Sequence, residues 1–217
     1  ELGCMEVTVT GGEAYLREDW LDVIRAIRAA GMHCTMVTAG KGVTPEVARA
    51  AKEAGLMSVS VSIDGIEATH DRLRGVSGSH ASALRAMRNF REAGVKISAN
   101  TQINRLSIPD LPAILETIIE AGVHAWQIQL TVAMGRAADE PEVLLQPHDV
   151  LVFYPMLPEL KARCVEARVT LWPGDNIGYF GPYETLLRGT MPLGYMGSCG
   201  AGRLVIGLEA DGPVKGC

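Results

Sequence analysis

The 217-residue chain has few aromatic residues: three Trp, three Phe and five Tyr. It therefore offers few of the stacking platforms that hold single-stranded nucleic acid. Positive charge is not in excess either, with 20 Lys and Arg against 25 Asp and Glu for a net charge of -5. A surface built to neutralise phosphates leans the other way, so no nucleic acid is expected as a partner. No run approaches the ~18 apolar residues of a membrane span, so no membrane partner is expected. The chain opens at Glu1 without a basic segment leading into an apolar one, so no secretory signal is visible. The five cysteines, Cys4, Cys34, Cys164, Cys199 and Cys217, are sparse and odd in number. They do not form a secreted disulfide framework, and a cytoplasmic location is expected. Phosphate-binding GxxxxGK, dinucleotide-binding GxGxxG and nucleophile-elbow GxSxG patterns are all missing. The five histidines show no HxH or HxxxH ligand spacing.

What the sequence does have is alternation. Short β-branched runs lead into glycine-bearing turns and then into stretches of helical period, the pattern of parallel βα units. Strands are predicted at 6–10, 33–38, 57–63, 95–103 and 124–132. Leu16, Trp20, Val23, Ile24 and Ile27 share one face of a predicted helix over 15–30, with charged residues opposite. Thr44 as N-cap with Pro45 in the first turn opens the next helix, and Gly55 closes it. A further helix opens near Ser107 or Pro109-Asp110 and closes at Gly122. Equivalent strand positions Val7, Cys34, Val59, Ile97 and Gln127 are spaced by 27, 25, 38 and 30 residues. That regularity suits consecutive βα units of a barrel or an open α/β sheet. Beyond residue 147 the pattern changes. A helix interrupted near Pro155 and Pro158 leads to a short strand at 169–172, a Gly/Pro/Tyr-rich segment and a hairpin turning at Ala210-Asp211-Gly212. A division into residues 1–147 and 148–217 is expected.

In parallel α/β folds the chemistry sits at the C-terminal ends of the strands. The first strand ends in Thr10-Gly11-Gly12-Glu13. Paired glycines let a ligand approach the backbone, and Glu13 at the rim is placed to hold an ammonium group. The same residues also suit a tight turn into a helix. The third strand ends in Ser62-Ile63-Asp64-Gly65, and alternation puts the hydroxyl and the carboxylate on one face. His70-Asp71-Arg72-Leu73-Arg74-Gly75 follows as a predicted charged loop. Cys199 and Cys217 flank the hairpin and read either as half of a metal or iron–sulfur site or as two unrelated thiols. Cys4 and Cys34, at strands, read as core thiols.

Taken in order along the chain, these segments resemble the radical S-adenosylmethionine (SAM) superfamily. The likeness is to members with the C-terminal auxiliary-cluster extension called the SPASM domain. It rests on Thr10-Gly11-Gly12-Glu13, Thr38-Ala39-Gly40, Val61-Ser62-Ile63-Asp64-Gly65, His70-Asp71-Arg72-Leu73-Arg74-Gly75, Gly135-Arg136-Ala137, and Cys199-Gly200-Ala201-Gly202 leading to Asp211-Gly212 and Cys217. The resemblance implies an α/β fold, a partial (βα)6 TIM-like barrel of parallel strands followed by the start of a small SPASM-type domain. It implies SAM and a 4Fe–4S cluster as cofactors, with SAM cleaved to a 5′-deoxyadenosyl radical that abstracts a substrate hydrogen. Gly11, Gly12 and Glu13 match the motif that accepts the SAM ammonium. Ser62 and Asp64 match the strand end near its ribose and carboxylate. Arg74 and Arg85 are the candidates for that carboxylate, where Ser82 stands at the usual position of a basic residue, and Gln127 and Gln129 match the segment against adenine. Cys199 and Cys217 match two ligands of an auxiliary iron–sulfur cluster.

Two departures stand out. Ala14 replaces the usual Pro, and the CxxxCxxC that holds the SAM cluster is absent from the sequence. An interior fragment of a longer enzyme is therefore expected, inactive by itself. The implied activity is maturation of a peptide or protein side chain, with a reductase or flavodoxin-like electron donor. Anaerobic sulfatase maturation and tetrapyrrole modification are the sister expectations. A cluster-free peptide-binding scaffold is the expectation from another class.

Overall fold

A computed structural model describes residues 3–177, 181–189 and 200–216. Six strands form one parallel sheet: β1 Glu6–Val9, β2 His33–Thr38, β3 Ser58–Ser62, β4 Lys96–Ile103, β5 Ala125–Leu130 and β6 Thr170–Pro173. Their spatial order is their sequence order. Every neighbouring pair is parallel, so each connection crosses over with the same hand and places its helix on the same face. The helices are α1 Trp20–Ala29, α2 Pro45–Ala54, α3 Glu67–Arg74, α4 Ser79–Glu92, α5 Leu111–Ala121, α6 Arg136–Asp139, α7 Val150–Phe153, α8 Leu157–Glu166 and α9 Glu184–Arg188.

The strands explain why one face is covered and the other is not. In β3, Val59 and Val61 are fully buried while Ser58, Ser60 and Ser62 are only half-buried. In β4, Ile97, Ala99, Thr101 and Ile103 are buried, and Ser98, Asn100 and Gln102 alternate with them. Strands of fully covered parallel sheets read as continuous apolar runs. Here the period is two, so only the helix-covered face carries the apolar core, which includes Phe90, Met87, Ile114 and Trp126. The other face is lined by small hydroxyl and amide side chains. On it Thr8 and Thr35 join Oγ1 to Oγ1 at 2.8 Å across β1 and β2.

A buried relay stiffens the covered face. The Trp126 indole N–H donates to Thr101 Oγ1 at 2.8 Å, and the Thr101 hydroxyl donates to the Ile63 carbonyl at 2.6 Å. This ties β5, β4 and the end of β3 together just before Asp64. Each group is satisfied, so the relay costs nothing in unpaired polar atoms.

Thr44 caps α2 by accepting the Val47 N–H, and Gly55 closes that helix, as the sequence predicts. The helix predicted over 15–30 is instead a 3-10 turn at Ala14–Leu16 followed by α1, with Arg17 extended between them. The charged loop predicted at 70–75 lies within and just after α3. The sheet runs on past residue 147: β6 pairs with β5, and Arg163 on α8 holds Glu116 on α5 through two bonds of 2.7 Å. The hairpin is present as β7 Gly207–Leu208 and β8 Val214–Lys215, antiparallel, with the Gly212 N–H bonded to the Glu209 carbonyl. Among the described residues, no helix is long and apolar enough to cross a membrane.

Candidate functional site

The first strand end is backbone rather than side chain. Gly11 has φ +113, a region that only glycine occupies without strain. A Cβ added to Gly11 or Gly12 would meet nothing within 4 Å, so both glycines border open space. Among the described residues, no hydrogen bond reaches the Gly11 or Gly12 carbonyl. Glu13 is already partnered. Its carboxylate accepts the Thr38 hydroxyl and the Ala39 N–H, the latter at 3.1 Å, and so ties β1 to the end of β2. An ammonium arriving at this end would meet free carbonyls next to a fixed carboxylate. Beside it, burial raises the Tyr15 phenol well above its ordinary range, and its hydroxyl donates to the Lys41 carbonyl at 2.5 Å.

At the end of β3, Ser62 is half-buried on the open face. Asp64 is 4% exposed and already partnered: one oxygen accepts the Gln102 N–H at 2.9 Å, and the other pairs with Arg74 Nη2 at 2.5 Å. The first of these bonds continues the β3–β4 ladder one step by side chain. Arg74 comes from α3, so the pair fixes that helix to the strand end. Its Nε is buried and has no partner.

His70 is the residue that sequence reasoning missed here. It is fully buried, and its Nδ1 accepts the Asp64 N–H at 3.0 Å while Nε2 faces Ser79 Oγ at 3.2 Å. Burial lowers its pKa from 6.5 to about 4, with the nearby Arg74 and His80 acting the same way and Asp64 and Asp71 opposing. The neutral ring is therefore the working form. Between pH 6.5 and 4 the unfolded chain binds this proton more readily than the folded one. The contribution is complete above about pH 6.5 and is lost as pH falls toward 4. H70N keeps an acceptor for Asp64 and removes the titration. Its urea midpoint is expected to drop less between pH 7 and pH 5 than that of the parent, and an equal drop would contradict this assignment.

The loop after β5 reaches back to the same place. The Arg136 guanidinium donates to the Leu73 carbonyl at 3.3 Å, over the C-terminus of α3. Gly75 has φ +65, which favours glycine, and the Arg136 guanidinium packs over it. Gln127 and Gln129 project from β5 onto the open face, in register with Asn100 and Gln102. Asn100 Oδ1 is buried without a partner.

Cys199 and Cys217 lie outside the described residues. Cys34 and Cys164 are buried, and burial raises both thiols, Cys164 to about 11, which disfavours the reactive thiolate. Cys4 is exposed rather than a core thiol, its Sγ donating to the Glu6 carbonyl. Among the described residues, no group of three His, Cys, Asp or Glu could hold a metal ion.

A one-sided parallel sheet in consecutive order, with polar residues on its open face and bare glycines at a strand end, defines an α/β barrel-type enzyme scaffold. The model of the Radical SAM superfamily matches residues 1–117, and the chain belongs to that superfamily. An AdoMet-dependent heme synthase of Oleidesulfovibrio alaskensis is 34% identical over 139 residues, 64% of this chain and 36% of that protein. A PqqA peptide cyclase of Ruegeria pomeroyi is 27% identical over 145 residues, 66% of this chain and 39% of that protein. Streptococcus suis SuiB shares the fold with a TM-score of 0.73 at 13% identity, over 98% of this chain and 50% of that one. The matched stretch thus spans well under half of these curated relatives. Membership implies SAM and a 4Fe–4S cluster as cofactors. The bare Gly11–Gly12 carbonyls and the unpartnered Arg74 Nε and Asn100 Oδ1 fit the amino-acid and nucleoside parts of SAM.

Proposed function

We propose that this chain is the cofactor-binding barrel of a radical SAM enzyme that modifies a peptide or protein side chain in the cytoplasm. The observation that carries the reading is the polar open face ending at Gly11 and Gly12. A closed barrel core is packed with branched apolar side chains, whereas this one leaves a hydrogen-bonding wall. When bound, SAM and its cluster supply one-electron cleavage of the sulfonium and abstraction of a substrate hydrogen.

The chain's own residues bind and orient. The carbonyls of Gly11 and Gly12 accept the SAM ammonium, and Glu13 holds that turn in place through Thr38 and Ala39. Ser62, Gln127 and Gln129 present hydroxyl and amide groups to the nucleoside. Arg74, held by Asp64, is the cation for the carboxylate. Cys199 and Cys217 supply part of an auxiliary cluster, and an electron donor of the reductase or flavodoxin class supplies the electron.

The relative named as a peptide cyclase supports the peptide reading. The higher identity to a heme synthase favours a second one, in which the substrate is a tetrapyrrole side chain. The test uses the full-length protein, reconstituted with iron and sulfide without oxygen and given SAM and a strong reductant. About eight irons per chain are expected, from one SAM cluster and one auxiliary cluster. A mass change in a short precursor peptide encoded beside the gene supports the first reading. A change only in iron coproporphyrin moves the assignment to the second, and stable binding of the peptide without iron would leave a scaffold.

A further inference from the structure

One large side chain breaks the polar pattern of the open face. In β6, Leu171 is buried beneath the helices, so the next residue, Trp172, projects to the opposite side, where it is 60% exposed. Among the described residues it makes no ring contact. Register aligns it with three other open-face residues in one row: Ser62 opposite Asn100, Asn100 opposite Gln127, and Gln127 opposite Trp172. Strands lie ~4.8 Å apart, so the Trp172 backbone stands about 10 Å from that of Asn100, two strands away. The other two tryptophans are tied to the protein: Trp126 is buried on the covered face, and Trp20 packs edge-on against Tyr15.

The backbone carrying this indole is held more firmly than a surface strand needs. The Gly174 N–H donates to the Ile128 carbonyl at 2.6 Å. A Cβ on Gly174 would lie 2.8 Å from the Gln129 Cβ, so only glycine allows this approach. Arg188 donates to the carbonyls of Gly174 and Ile177 at 2.6 and 2.8 Å, and Glu184 holds that guanidinium. Asn176 replaces a strand partner for Leu130, giving and taking one bond of 3.0 Å each. An exposed indole on a fixed support is a preorganised binding surface.

We propose that Trp172 is the stacking platform of the substrate site and takes a planar conjugated ring of the substrate against its face. The assignment rests on the proposed function and adds to it the chemical class that the open face selects. Two sources offer such a ring, an aromatic side chain of a peptide and a tetrapyrrole macrocycle.

The test compares the full-length protein with its W172A and W172F variants by calorimetric titration. The probes are a tryptophan-containing precursor peptide, iron coproporphyrin III and SAM. W172A is expected to weaken binding of the peptide or of the porphyrin tenfold or more. W172F should restore most of it, and the melting temperature should be unchanged. The probe affected identifies the source of the ring. Equal affinities for W172A and the parent would overturn the proposal, as would a parent that binds neither ring probe. A loss confined to SAM would assign the indole to the cofactor instead and overturn it too. A parent that binds no SAM defeats the proposed function separately from the platform.

Discussion

Asp64→Ala is expected to lower the unfolding free energy by about 3 kcal/mol. The carboxylate is almost fully buried and does two things at once. It pairs with Arg74 and it accepts the Gln102 N–H. Truncation leaves that N–H facing a gap and leaves a guanidinium with a buried Nε and no counter-charge. Arg74 keeps 30% of its side-chain surface exposed, so water recovers part of the loss and the figure sits at the low end of the range for broken buried pairs. D64N preserves an acceptor but not the charge and should cost about half as much. A double-mutant cycle with R74M, read from urea unfolding, should show the two losses to be strongly coupled. A D64A loss below ~1 kcal/mol, within the range of exposed pairs, would show that the pair does not hold the strand end.

Gly11→Ala is expected to weaken SAM binding by at least tenfold. Two effects combine. At φ +113 an alanine is strained by about 1–3 kcal/mol, and relaxing that strain rotates the carbonyls that receive the ammonium. The new methyl also projects into the open space that the ligand needs. G12A separates the two, because Gly12 has no positive φ and its added Cβ meets no protein atom. It should leave urea stability within ~0.5 kcal/mol of the parent, as surface changes usually do, while still weakening SAM. If both variants bound SAM like the parent, the glycine pair would be only a turn.

Much of this fold is legible because its signals are local. Ser58–Ser62 alternates residue by residue, and so fixes both the strand and its buried face. Thr44, Pro45 and Gly55 mark both ends of α2 within its own sequence. The site is legible only in part, since its key contacts join distant segments. His70 reads as one member of a charged run, and only the approach of the Asp64 N–H to its Nδ1 explains its burial. Asp64 reads as a rim carboxylate until Arg74 and the β4 backbone are brought to it. Glu13 likewise shows its commitment to Thr38 and Ala39 only once β1 and β2 are aligned. Trp172 lies in a strand of four residues, and its exposed face follows from pairing with β5 across an intervening stretch of helices. A regular pattern predicts which face a residue takes but not what meets it there.

The most direct test of the central claim is formation of 5′-deoxyadenosine from SAM by the full-length protein, reconstituted and reduced without oxygen. The account predicts that the parent forms this product and that G11A loses most of it while retaining its iron. Absence of the product from an iron-loaded parent that also fails to bind SAM would contradict the account.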